Sequence, residues 1–384
     1  MNLTIKHVEI ILVLLFLSAI ALRLYLKRKN LRIEKVIIFE YSKKYTEKIS
    51  EIVSKHSKIF KILGIIAIIS APIMMLIGVY YIINSLIFFK PSVALVLPSV
   101  SSFKYPGPII SVPFWIWIIA IFIIVFSHES MHALIAGSEG VKTRKYGLLY
   151  FLVVPIGAFV DIDEKRMRKI ELKKRIKILA AGSLGNVLTF LLFFVVLITL
   201  SRILNQVIEF KGVWFNATAP DSPAEKVGLK GIITKIDNTT INSVYDLQNF
   251  LKNTKPNTTV LIETTEGKYK LTLAEKNNAS YVGIVGVKDH IVYKGSNVPV
   301  AEYIIITIGH LFAVLQWIAF LSLGVAIANM LPITPLDGGL IVREILKEKF
   351  GKKGEKLSNL ISSVFLILLL FSLFLSSLTL REVF

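Results

Sequence analysis

The sequence predicts a polytopic α-helical membrane protein with about six transmembrane helices, a re-entrant β-hairpin and one inserted extracytoplasmic α+β domain. Three observations carry this prediction. Of 384 residues, 54% are hydrophobic, and the mean hydropathy of +0.66 is well above that of an ordinary soluble chain. Apolar stretches near residues 8–26, 59–89, 109–136, 176–200, 303–330 and 357–380 each reach the ~20 residues that cross a hydrocarbon core. Between the fourth and fifth stretches, residues 202–302 have strand, turn and helix signals of their own.

The first stretch reads as a retained anchor. Its apolar run exceeds a signal-peptide core and is followed by Lys27-Arg28-Lys29, with no small-residue cleavage site. The formal charge of +19 does not point to nucleic acid, because the cations crowd the loops beside the spans. Residues 27–61 hold eleven Lys/Arg against four Asp/Glu, and residues 137–177 hold eleven against five. Both loops are therefore expected on the cytoplasmic side. The 90–107 connection holds only Lys90 and Lys104, and the insert is nearly balanced in charge, so both are expected outside. Four N-x-S/T triplets starting at Asn216, Asn238, Asn257 and Asn278 are compatible with that side. With no cysteine, no disulfide holds the insert together.

The third span contains Ser127-His128-Glu129-Ser130-Met131-His132, an H-E-x-x-H pattern. On a helix, His128 and His132 share a face and converge on one zinc, with Glu129 beside them as the group that handles water. A polar pair filling a gap between helices would not need a carboxylate between the imidazoles, which is costly at that depth. If the span enters at Pro113, His128 lies about 22 Å down its axis, in the cytoplasmic third of the membrane.

Two imidazoles leave a metal site incomplete. The segment Asn329-Met330-Leu331-Pro332-Ile333-Thr334-Pro335-Leu336-Asp337-Gly338-Gly339 ends the fifth span. Its prolines break the helix, its glycines permit close backbone approach, and Asp337 is expected at the depth of the histidines. Alone, Asp337 reads equally well as a helix cap. Beside the His pair it is the third-ligand candidate. Glu139, His310, Asp161, Asp163 and Glu164 compete less well, and His310 is expected to be a buried hydrogen-bonding residue.

H-E-x-x-H at 128–132, paired with N-x-x-P-x-x-P-L-D-G-G at 329–339, resembles the site-2 protease family of intramembrane zinc metalloproteases. The resemblance covers about residues 109–349. It implies Zn2+ as cofactor, His128, His132 and Asp337 as ligands, and Glu129 as the catalytic carboxylate. Gly182-Ser183-Leu184-Gly185-Asn186 resembles the family's G-x-x-x-N element, which implies that Asn186 faces the active site, where it would steady a substrate carbonyl or oxyanion. Its glycines also suit close helix packing.

Residues 146–160 are apolar, rich in β-branched and aromatic residues, and too short to span as a helix, so a hairpin dipping back into the membrane is expected. In the family such a strand lies beside the active site, where its free edge would pair with extended substrate. Within the insert, residues 220–241 resemble a PDZ domain: a helix from Ser-Pro-Ala, then strand and turn. A second helix is expected at 244–253 and a hairpin, Thr259–Thr264 with Lys268–Leu273, around Glu266-Gly267. A peptide-carboxylate loop is only faintly marked by Lys211-Gly212-Val213.

The expected division is 1–107 for two spans and a basic loop, 108–201 for the first half of a protease core, 202–300 for the PDZ-like domain, 301–350 for the second half of the core, and 351–384 for a last span. The resemblance implies an endopeptidase acting on a transmembrane protein substrate already cut by another protease, in contact with membrane lipid and not with nucleic acid. Two other readings stay open: an inactive membrane scaffold presenting a PDZ domain, and a membrane zincin acting on peptides outside the bilayer. A transporter is disfavoured, because the span pattern has no internal repeat.

Overall fold

The structure is a computed structural model that describes residues 5–34, 37–41, 43–89, 93–100, 105, 109–141, 143–276 and 279–379. Lys90, Lys104 and Asn278 lie outside the described residues. The chain forms two compact units, one of residues 1–196 and 312–384 and the other of residues 197–311.

Six helices among the described residues are long and apolar enough to cross a membrane. They are α1 (Ile5–Leu26), α2 (Lys43–Phe88), α3 (Phe114–Ser138), α5 (Leu172–Val207), α8 (Glu302–Asn329) and α9 (Asp337–Thr379). A short helix, α4 (Glu164–Met167), precedes α5. Residue chemistry sets the boundaries of α3. Pro113 fixes the backbone just before its first turn, and Gly140, at φ 83°, takes the left-handed conformation just after its end. α9 breaks at Gly351, where φ is 58°. A β-carbon on Gly354 would lie 1.9 Å from Leu346 O, so a glycine is needed for the chain to fold back there. Arg343 and Lys347 both pair with Glu355 across the break.

Helices pack closely in this unit because the contacting residues are small. Ala67 and Ala71 of α2, Ala180 of α5 and Ala326 of α8 form one buried cluster with Met74, Leu179, Leu184, Met330 and Ile341. Beside α3, the parallel strands β3 (Leu95–Ser99) and β4 (Ile109–Pro113) pair with each other.

Residues 27–61 are not a simple loop, which corrects the sequence expectation. They contain β1 (Leu31–Glu34), β2 (Ile37–Tyr41) and the first turns of α2. β1 and β2 extend the expected hairpin, here β5 (Thr143–Phe151) and β6 (Val154–Ile162), into a sheet of order β1-β2-β5-β6. The hairpin is longer than residues 146–160 and turns at Leu152-Val153. Gly147 faces Tyr41 in the register, where a β-carbon would lie 2.2 Å from Glu40 O. Glu40 is buried and accepts hydrogen bonds from Arg23 Nη2 at 3.0 Å, Lys27 Nζ at 2.9 Å and Tyr150 Oη at 2.7 Å. Burial opposes its charge, but the bonds from Lys27, Tyr150 and Arg23 outweigh burial and hold its carboxyl below the ordinary glutamate value.

The second unit has a six-stranded sheet whose main path is β12-β11-β9-β7-β16, with β10 on β9. Its elements are β7 (Ile208–Trp214), β8 (Ala217–Thr218), α6 (Pro223–Lys226), β9 (Ile233–Ile236), β10 (Thr239–Thr240), α7 (Val244–Asn253), β11 (Thr259–Thr264), β12 (Lys268–Thr272), β13 (Ala274–Lys276), β14 (Ala279–Tyr281), β15 (Ile284–Val285) and β16 (Lys288–Tyr293). Ser222 caps α6 through the Glu225 N–H. Ser243 and Asp246 form a capping box on α7. Val213, Ile233, Ile236, Ile241, Val260 and Ile262 fill the core. Lys211-Gly212-Val213 lies within β7.

Candidate metal centre

Three helices build the site. α3 projects His128 and His132 from one face, one turn apart, and both are buried. α5 runs against that face at Gly182, where a β-carbon would stand 2.3 Å from His132 Nε2 and 2.4 Å from His128 Nε2. α9 begins at Asp337, with Gly338 and Gly339 packed on the preceding loop. A β-carbon on Gly338 would lie 2.1 Å from Met330 O, and one on Gly339 2.4 Å from the Ile333 carbonyl carbon.

The two Nε2 atoms are 3.2 Å apart, and each lies 3.4 Å from Asp337 Oδ2. These atoms form the one cluster of metal-ligating type among the described residues. Tetrahedral coordination with zinc–ligand bonds of 2.0–2.1 Å separates neighbouring donors by roughly 3.3 Å, so the triangle has the dimensions of one face of such a site. Asp337 Oδ2 is buried and has no hydrogen-bond partner. A bound divalent cation would satisfy it.

The outer ring nitrogens orient the two imidazoles. His132 Nδ1 lies 2.7 Å from Ile178 O, which can only accept. The proton therefore sits on Nδ1, and Nε2 presents its lone pair to the site. His128 Nδ1 is 3.2 Å from the Asn186 amide, whose other end is 3.1 Å from Ser127 Oγ, and Ser127 Oγ donates to Ile124 O at 2.9 Å. The amide stands with Nδ2 towards His128 Nδ1 and Oδ1 towards Ser127 Oγ. Turned over, which exchanges two ends of nearly equal size, its oxygen accepts from His128 Nδ1–H, its NH2 donates to Ser127 Oγ, and Ser127 donates to Ile124 O. His128 then also presents a bare Nε2. Asn186 is fully buried against these two groups of α3.

Glu129 reaches the sheet. Its Oε2 accepts from the Val160 N–H of β6 at 3.0 Å. Ser130 and Tyr146 hydroxyls meet at 3.2 Å, and Gly157 packs so closely on Val125 that a β-carbon would lie 3.0 Å from its Cγ1. The hairpin is thus fastened along the α3 face next to the His pair. Its β5 edge is taken by β2, which leaves β6 at the end of the sheet.

A family model, that of peptidase family M50, matches residues 116–372. The chain belongs to peptidase family M50, the site-2 protease family. The match takes in the HExxH helix, the insert and Asp337 alike. An uncharacterised protein of Methanocaldococcus jannaschii is 26% identical over 310 residues, 79% of this chain and 78% of the relative. M50 members are metallopeptidases, and the six apolar helices fit a multi-pass membrane member of that family.

Of the competing candidates, Glu139 is paired with Lys177 Nζ at 2.6 Å. Asp163 Oδ1 accepts from the Arg166 N–H at the start of α4. His310 is exposed, a correction to its expected burial: its Nδ1 bonds to Ile306 O one turn back on the same helix at 2.7 Å, so it is satisfied within its own helix. Sequence reasoning missed Glu40 with Tyr150, and Lys177 and Arg175 beneath the His128–His132–Asp337 triangle. The signal for the first was the β-branched and aromatic run Val36-Ile37-Ile38-Phe39 inside the basic stretch.

Proposed function

We propose that this M50 peptidase is a zinc-dependent endopeptidase that hydrolyses a peptide bond within a transmembrane segment of another membrane protein. The observation that carries this is the triangle of His128 Nε2, His132 Nε2 and Asp337 Oδ2, set in helices long enough to span a bilayer, with Glu129 on the same helix as the histidines. His128, His132 and Asp337 would hold the ion. When bound, zinc supplies Lewis-acid polarisation of a carbonyl and acidification of water. Glu129 takes the proton of the attacking water and returns it to the leaving amine. Asn186 and Ile178 keep the two imidazoles in the ligating tautomer.

A helical substrate has its carbonyls engaged in its own hydrogen bonds and must unwind before water can attack. β6 lies beside Glu129 as the strand against which unwound substrate extends, and the hairpin dips into the membrane to do this. The insert, whose helix and hairpin positions support a PDZ-like fold, lies outside the cell and screens ectodomains. The excess of Lys and Arg in residues 27–61 and 137–177 supports a metal site towards the cytoplasm. The substrate is a single-span protein already cut by another protease, and its cleavage releases a cytoplasmic fragment in regulated intramembrane proteolysis.

The purified protein, reconstituted in lipid with a single-span model substrate, tests this reading. Cleavage within the span that is abolished by Glu129→Gln and by a chelator supports it. Cleavage that survives both would sink it.

A further inference from the structure

α5 meets both ligand-bearing helices at two levels. At the first, Gly182 lies against the imidazoles. At the second, Lys177 pairs with Glu139, the residue that caps the C-terminal end of α3, and Arg175 reaches Glu344 of α9 through Nη1 and Glu348 through Nη2. Glu139 follows His132 by seven positions, and Glu344 follows Asp337 by seven. Seven residues are two turns, so each glutamate projects within about 20° of its ligand's face, about 10 Å further along the axis. The Lys177–Glu139 contact is secluded, with side-chain exposures of 12% and 4%. Arg175 is 13% exposed, while its partners Glu344 and Glu348 are 26% and 55% exposed, so that contact opens towards the surface.

The spacing of the His pair is set by one turn of α3, but its distance to Asp337 depends on how α3 and α9 are turned relative to each other. At roughly 6 Å from a helix axis, a rotation of about 10° moves an atom by about 1 Å, whereas metal–ligand distances tolerate about 0.2 Å. Charge-assisted bonds two turns from the ligands resist that rotation. A forked Arg contact adds direction as well as attraction.

We propose that Lys177 and Arg175 are positioning residues: from α5 they fix the rotation and height of α3 and of the first turns of α9, and so set the metal-binding triangle. The proposal rests on the reading of His128, His132 and Asp337 as metal ligands. It also explains why Glu139 is buried close to the site without being a ligand.

The test is titration of the metal-free, full-length protein in detergent with Co2+, followed by its visible d–d absorption, in three variants. Glu139→Gln keeps side-chain volume, and Arg175→Lys keeps the charge while replacing the planar fork by a point charge that does not hold its two glutamates at fixed directions. The third variant exchanges the pair, Glu139→Lys with Lys177→Glu. The first two should bind Co2+ roughly 10–100-fold more weakly, with a changed absorption band, while the metal-free circular dichroism stays that of the parent. The exchanged pair should recover affinity to within about threefold of the parent, which a loss of packing alone would not do. Parental affinity and spectrum in both Glu139→Gln and Arg175→Lys would overturn the proposal, as would weakening that only follows loss of helix. The metal reading fails separately, if the unaltered protein binds no Co2+ or His128→Ala binds it undiminished.

Discussion

Gly182 of α5 stands so close to His132 of α3 that a single added methyl group would lie 2.3 Å from the imidazole Nε2. That atom also faces His128 and Asp337, so a glycine of α5 sits where the three candidate ligand atoms converge.

Gly182→Ala should therefore displace both imidazoles. The expected result is loss of bound zinc by at least about 100-fold in affinity, with helical content retained. Zinc content after dialysis against a graded metal buffer measures this, and parental occupancy would refute the close approach.

Asp337→Ala removes one corner of the triangle. Zinc affinity should fall by more than about 100-fold, whereas Glu129→Gln should keep its zinc and lose cleavage by about 100- to 10,000-fold. Metal analysis run beside a cleavage assay separates the two roles. Full zinc retention in Asp337→Ala would remove it from the ligand set.

Asn186→Ala frees His128 Nδ1 from its amide partner. With the tautomer no longer held, zinc should bind roughly 10–100-fold more weakly and cleavage should recover when zinc is raised. A variant that binds zinc normally but cleaves slowly at every zinc concentration would place Asn186 on the substrate instead.

Glu40 makes stability depend on acid. Its carboxyl titrates below the ordinary glutamate value of about 4.3, so its contribution is complete above that value and disappears as pH falls through the lowered one. Thermal midpoints in detergent between about pH 6 and pH 3.5 should fall further for the native protein than for Glu40→Gln, whose amide does not titrate. Parallel curves would contradict the assignment.

Helical periodicity made the His pair legible in the sequence, because two imidazoles at i and i+4 must share a face. Asp337 was legible through the prolines and glycines around it, and α7 through Ser243 and Asp246. What escaped was long-range. β2 pairs with β5 across about a hundred residues, and its run of Ile and Phe is hidden among lysines. Arg175 and Lys177 looked like members of a basic loop, since nothing local reveals that their partners are Glu344 and Glu139. The contacts of Asn186 depend on how α5 is rotated against α3, and the exposure of His310 on what surrounds α8, neither of which a single helix pattern encodes.

The sheet order β1-β2-β5-β6 also bears on biosynthesis. β2 leaves the ribosome roughly a hundred residues ahead of β5, so the hairpin that holds Glu129 emerges to find its neighbour already made. Pairing Tyr41 with Gly147 admits only a residue without a side chain at that point, which fixes the register as the later strands arrive. An early strand thus acts as a template for the late one, and the β2-facing edge of β5 is covered as soon as it emerges, while its other edge is closed by β6 immediately after.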